Sequence, residues 1–195
     1  FCWAVLIFTS GINIYILLAI FIAGASLLTY LIIYVPRFDY IQGRIFSFFN
    51  RETGTHNFQS DKAIESITSG GFFGKGIGEG VLKNRVPEAH TDYIISVISE
   101  EFGVVAIMLI LLLFLILIYM VFKKISFETN DKVKLILIGS ISLILMQATI
   151  HIGVNIRLFP TTGMTLPFLS YGGSSIISTS ILAGIILNLT KRKIT

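Results

Sequence analysis

The chain has 195 residues, 54% of them hydrophobic and only 13% charged, with a mean hydropathy of +0.83. Soluble domains carry about 25% charged residues, so this composition excludes an ordinary water-soluble globule and fits a multi-span membrane protein. The net charge of +4 suits Lys and Arg flanking membrane spans rather than a nucleic-acid surface, and the single cysteine, Cys2, excludes an internal disulfide and a Cys-based zinc site.

Phe1 begins inside an apolar run, with no initiator Met, basic leader or cleavage site. The expectation is a piece of a longer protein, with residues 1–9 as the tail of a truncated span. Ser10-Gly11 signals a turn. Ile12–Val35 is 24 residues without a charge, enough for one tilted transmembrane helix. Its Gly24, Ala25 and Ser26 permit close approach of a neighbouring helix. Pro36-Arg37 ends it.

Residues 36–92 form a large polar loop. Phe38–Asn50 sets Phe46, Phe48 and Phe49 among Arg37, Arg44 and Arg51. It reads either as an amphipathic stretch in the membrane interface or as a loop packed on the bundle. Glu52–Asn57 reads as a turn. Phe58–Thr68 reads as a short helix carrying Asp61, Lys62 and Glu65. Six glycines follow between Gly70 and Gly80.

Tyr93–Phe122 is 30 residues. One straight helix of that length measures about 45 Å, against a hydrocarbon core of about 30 Å. Glu100-Glu101 divides it, so the first turns are expected at the boundary and 102–122 across the membrane. Ser126–Lys134 is a short charged loop. A span over 135–152 carries Gln147 and His151 near its far end. Gly153–Tyr171 is irregular, with Pro160, Gly163 and Pro167, and a last span covers 172–189. The predicted fold is all-α, a polytopic transmembrane helix bundle.

Lys123, Lys124, Lys132 and Lys134 lie on the same side as Lys191, Arg192 and Lys193, which marks that side as cytoplasmic. The long loop also carries Lys and Arg, but with a near-equal number of acids. Residues 37–91 and 153–171 are therefore expected together on the outer side, where they can meet at one site.

Val86–Gly103 concentrates Glu88, His90, Asp92, Glu100 and Glu101 at the mouth of an apolar run. Such charges are costly at a membrane edge unless they face water, a partner or a ligand. A helix starting at Thr91 would put Asp92, Ser96, Ser99 and Gly103 on one face and Glu101 on the other. Thr91 as N-cap would place Asp92 in the first turn, where the helix dipole favours its anion. Such a carboxylate suits a general base; the alternative is a helix-capping or salt-bridged Asp. His90 can be a base, a metal ligand, a polar gate or a structural histidine. In an extended segment Glu88, His90 and Asp92 share a face, which is a candidate divalent-cation site. Arg157 is an isolated cation at a membrane edge, expected to meet Asp92, Glu88, a lipid phosphate or water.

The glycine-rich stretch is not a phosphate loop, because Gly74-Lys75 is followed by Gly76 rather than Ser or Thr. It reads as an unusual backbone path near a ligand, or as a flexible loop. Tyr171-Gly172-Gly173-Ser174-Ser175 reads as close helix packing.

Pro87-Glu88-Ala89-His90-Thr91-Asp92, followed by Glu100-Glu101-Phe102-Gly103, resembles the signature of the SEDS family (shape, elongation, division and sporulation). Ser69–Gly78 resembles that family's large external loop. Asn155–Gly163, Leu166-Pro167-Phe168 and Ser170–Ser175 resemble its last external loop and final span. Ala89 is similar to the division members, where elongation members more often carry Arg. The resemblance implies a ten-span glycosyltransferase that polymerises lipid II into peptidoglycan glycan strands, in the bacterial inner membrane and at the division septum, with its active side facing the exterior. It further implies Asp92 as the catalytic residue and a class B penicillin-binding protein and other divisome proteins as partners, with no nucleic acid. The present spans would be the end of the sixth and the seventh to tenth, and the missing half would be needed for activity. With an inverting transfer, Arg157, Lys62 or a divalent cation (Mg2+ or Mn2+) would offset the pyrophosphate charge, with Glu88 and His90 around the base.

Two other readings use the same residues. A lipid II flippase needs a polar route, and Leu109–Tyr119 and Ile12–Leu18 carry no charge. A scaffold that recruits a penicillin-binding protein would leave Asp92 dispensable.

Overall fold

The computed structural model describes residues 2–49, 55–86 and 89–191. Its helices are α1 (Cys2–Thr9), α2 (Ile14–Tyr34), α3 (Asp39–Phe49), α4 (Thr55–Gly70), the single turn α5 (Leu82–Arg85), α6 (Ile94–Phe127), α7 (Asp131–Asn155) and α8 (Gly173–Thr190). Among the described residues there is no strand. The all-α class follows from long apolar runs whose backbone groups must bond within the segment. By length and composition, α2, α6, α7 and α8 can each cross a membrane.

Local chemistry sets the helix ends. Asn13 caps α2, its side chain accepting from the Tyr15 N–H at 3.1 Å. Pro36 stops α2 and leaves Val35 extended. Asn130 caps α7 through the Lys132 N–H, with Asp131 in the first turn. Residues 55–57, expected as a turn, are the start of α4; residues 52–54 lie outside the described ones.

α7 is the hub. It packs on α1, α4, α6 and α8. Gly139 lets α1 come close: a Cβ there would stand 3.4 Å from the Leu6 side chain. Val121, Leu137, Ile141, Ile144 and Ile186 form a core at one end of α6, α7 and α8. Ala63, Leu82, Val86, Ala89, Tyr93, Val97 and Val154 form another, joining α4, α5 and the start of α6 to the end of α7. None of the described residues of α2 is buried.

α6 is broken at Gly103, which has φ 77 and ψ −176. The break falls two residues after the Glu100-Glu101 pair. The glycine-rich loop is spliced into it. The carbonyls of Glu100 and Glu101 accept from Lys75 N–H (2.9 Å) and Gly76 N–H (3.1 Å), while Val104 and Val105 donate to Gly71 O (3.0 Å) and Phe72 O (3.4 Å). Four groups that a continuous helix would pair internally are thus satisfied by the loop. Contact is backbone to backbone, which only glycine permits. A Cβ would lie 2.0 Å from Ser99 O on Gly70, 2.2 Å from Glu101 O on Gly74 and 2.2 Å from Phe72 O on Gly103. The unusual path expected for this stretch is real, and its neighbour is the protein's own helix.

The splice is locked by charge. Glu100 is 2% exposed. Its Oε1 accepts from Lys75 Nζ at 2.8 Å, and its Oε2 from the N–H groups of Val81 (3.1 Å) and Leu82 (3.0 Å). Glu100 is therefore a buried structural anion that joins the loop, α5 and α6.

Candidate active site

The segment His90-Thr91-Asp92 precedes α6 and has no helical ladder, so its carbonyls need donors from elsewhere. Three in succession find them. Tyr171 N–H donates to His90 O at 3.1 Å, the Ser170 hydroxyl to Thr91 O at 2.8 Å, and Asn155 Nδ2 to Asp92 O at 3.0 Å. The donors come from the last residue of α7 and the loop before α8. The two irregular stretches flanking the spans meet here.

Asp92 is half-buried. Its carboxylate lies along the turn at Gly163, where φ is +71 and a Cβ would stand 3.8 Å from Oδ2. His151 anchors that turn. Its Nδ1 bonds the Met164 carbonyl at 2.8 Å. A carbonyl only accepts, so Nδ1 carries the proton. Nε2 is buried and meets no donor among the described residues. Next to Asp92, the Tyr93 phenol is buried and shares a 3.4 Å hydrogen bond with the Ser60 hydroxyl on α4. Burial pushes the phenol's pKa up; the Ser60 bond opposes this, and the Asp92 carboxylate adds to the rise.

The start of α6 differs from the sequence expectation. The helix begins at Ile94 with Tyr93 as N-cap, and Tyr93 makes no side-chain cap bond. Thr91 is therefore not the cap, and Asp92 precedes the first turn instead of lying in it. The missing cap is supplied by Asn155, whose Oδ1 accepts from the Ser96 N–H at 3.2 Å. That tertiary bond replaces what Thr91 would have offered locally. Ser96, Ser99 and Gly103 are all buried, as a small polar stripe facing the protein.

The other expected site residues scatter. His90 is exposed while its carbonyl is held by Tyr171. Arg157 pairs with Asp61 on α4, which was not among the partners expected for it. The fold brings α4 over the end of α7, and that juxtaposition has no trace in local sequence. Lys62 pairs with Glu65 on its own helix and lies 5.9 Å from the Phe58 ring centroid. The Lys62 ammonium holds the Glu65 carboxyl below its usual value. Lys62 lines a charged cavity of about 220 Å³ with Lys75, Arg85 and Glu100, which Asp92 does not line. Glu88 lies outside the described residues. Among the described residues no three His, Cys, Asp or Glu side chains converge as a metal site; His90 and Asp92 alone do not make one.

Sequence reasoning assigned no role to Asn155, Ser170 or Glu100's buried network. One signal was available for the first. Gln147, His151 and Asn155 recur every four residues at the end of α7 and so share a face. A polar row on an apolar span faces protein rather than lipid.

The model of the cell cycle protein family FTSW_RODA_SPOVE matches residues 1–194. A probable peptidoglycan glycosyltransferase FtsW from Enterococcus hirae is 40% identical over 138 residues, which is 70% of this chain and 35% of the relative. Another, from Caulobacter vibrioides, is 39% identical over 158 residues, 80% of this chain and 40% of the relative. The chain thus spans less than half the length of these relatives. A solved structure of a peptidoglycan synthase complex that coordinates polymerization and crosslinking superposes with a TM-score of 0.72 at 26% identity, covering 95% of this chain and 51% of that one. With four helices among the described residues able to cross a membrane and a family match along nearly its whole length, this is a multi-pass membrane protein that belongs to the FTSW_RODA_SPOVE cell cycle protein family.

Proposed function

We propose that the protein containing these residues is a glycosyltransferase that polymerises lipid II into peptidoglycan strands during septal wall synthesis, with Asp92 as general base. The observation that carries this reading is the rail of three donors that holds the backbone of His90, Thr91 and Asp92 while the Asp92 carboxylate lies along the Gly163 turn. A carboxylate held at the end of apolar spans suits a substrate whose headgroup is wet and whose tail is not.

In this mechanism the acceptor sugar hydroxyl gives its proton to the Asp92 carboxylate as its oxygen attacks the anomeric carbon of the donor. The bond from that carbon to the lipid pyrophosphate breaks, and the pyrophosphate leaves with the electron pair. A single displacement inverts the anomeric centre and needs one base, not a covalent carboxylate. Arg157, which pairs with Asp61 on α4, supplies positive charge for the leaving group. The site faces the exterior of the bacterial cytoplasmic membrane at the division septum. Relatives named as FtsW and the likeness to a synthase complex support this reading and a class B penicillin-binding protein as partner.

The test is reconstitution of the full-length protein with its partner and labelled lipid II. Asp92→Asn is expected to lower glycan polymerisation by about 10²–10⁴-fold. Full polymerisation by this variant would remove Asp92 as the base. Lipid transport without polymer in the wild type would favour a flippase.

A further inference from the structure

Asn155 is 0% exposed, and its carboxamide is saturated. Oδ1 accepts from the Ser96 N–H (3.2 Å) and the Ser96 hydroxyl (2.7 Å); Nδ2 donates to Asp92 O (3.0 Å) and His151 O (2.9 Å). Two acceptor sites and two N–H groups are all that a primary amide has. The network also fixes which way the amide points. Reversed, its NH2 would face the Ser96 N–H and its oxygen would face two carbonyls.

Ser96 is the third residue of α6, where a capping side chain accepts. Tyr93 makes no such bond. Asn155 therefore caps α6 from 59 residues away, and the same side chain grips the carbonyl of Asp92. The cap and the grip act on both sides of Tyr93, so the peptide plane that follows Asp92 cannot turn without breaking one of them. That plane helps set the direction in which the Asp92 side chain leaves the backbone.

We propose that Asn155 is the positioning residue for Asp92, aiming its carboxylate by locking the Asp92 carbonyl and the first turn of α6 into one unit. This rests on the reading of Asp92 as the base. Asn155 itself touches no reacting atom; it acts through backbone geometry. A misplacement of about 1 Å at a reacting group costs on the order of 10²-fold in rate.

The experiment uses the full-length protein with its partner and two readouts. In Asn155→Ala, hydrogen exchange in peptides covering residues 94–97 is expected to accelerate about tenfold or more, with exchange across 104–127 unchanged. In the polymerisation assay with labelled lipid II, kcat is expected to fall about 10²-fold with KM held within about twofold. Unchanged exchange at 94–97 overturns the clamp, whatever the activity does. Faster exchange with unchanged kcat overturns the positioning role, and so does a raised KM with kcat intact. Asp92→Asn is assayed alongside. If it polymerises at the wild-type rate, the base assignment falls and this proposal with it; if it is inactive while Asn155→Ala is fully active, only this proposal falls. Should Asn155→Ala fail to accumulate in membranes, Ser96→Ala replaces it. It removes only the 2.7 Å hydroxyl bond, and the same two readouts are expected to move about threefold; no movement in either overturns the proposal.

Discussion

The Arg157 guanidinium donates to the Asp61 carboxylate and so fastens α4 to the end of α7. Arg157 does this from a left-handed backbone, φ 59. It sits just past the end of α7 in a Schellman turn: Arg157 N–H bonds Val154 O at 3.0 Å and Leu158 N–H bonds Gly153 O at 2.7 Å. Glycine is the residue that such a position favours.

This arrangement separates stability from binding. Replacing Arg157 with Gly relieves about 1 kcal/mol of backbone strain and removes an ion pair whose side chains are 19% and 55% exposed, itself worth about 0–1 kcal/mol. Arg157→Gly is expected to leave stability within about 1 kcal/mol. The KM for lipid II is expected to rise about tenfold or more, the scale of one charge-assisted hydrogen bond. Thermal midpoint and KM, measured on the same full-length preparation, check both halves. An unchanged KM removes Arg157 from the substrate site.

The splice at the α6 break makes a sharper stability prediction. A Cβ on Gly103 meets Phe72 O at 2.2 Å and Gly74 N at 2.5 Å, with φ +77. Gly103→Ala is expected to cost about 3 kcal/mol or more. Gly24→Ala, with nothing among the described residues within 4 Å of the new Cβ, is expected to change stability by less than about 1 kcal/mol. Unfolding followed by fluorescence in detergent compares the pair. Equal midpoints would mean that the loop does not hold the helix break.

Lys75 and Glu100 are unequal partners, with side chains 36% and 3% exposed. Lys75→Met leaves a buried carboxylate held, among the described residues, by the Val81 and Leu82 N–H groups. A cost of about 2–3 kcal/mol is expected, below the roughly 3–5 kcal/mol for a fully buried pair because Lys75 is partly screened by solvent. Glu100→Gln keeps an oxygen for those N–H groups and frees Lys75 to reach water, at about 1 kcal/mol. The double variant should recover part of the Lys75→Met loss. If Glu100→Gln proves the more damaging single change, the buried anion is not what Lys75 serves.

By itself the sequence determined the all-helical, membrane-embedded class. Length and apolarity of a run are one-dimensional properties, and a bilayer leaves the backbone few other choices. Its motifs likewise sufficed to place the chain in its family. Charge density marked residues 88–92 as costly and glycine content marked 70–80 as irregular, but neither named what these stretches touch. Only the tertiary structure decided that Asn155 caps α6 and holds Asp92, that Arg157 pairs with Asp61, and that Glu100 is a buried anchor. Those contacts span 59, 63 and 96 residues in the first two cases and 25 in the last. Helical periodicity reports which residues share a face. It carries no record of which donor from another helix arrives there, because that depends on how the spans and loops pack together.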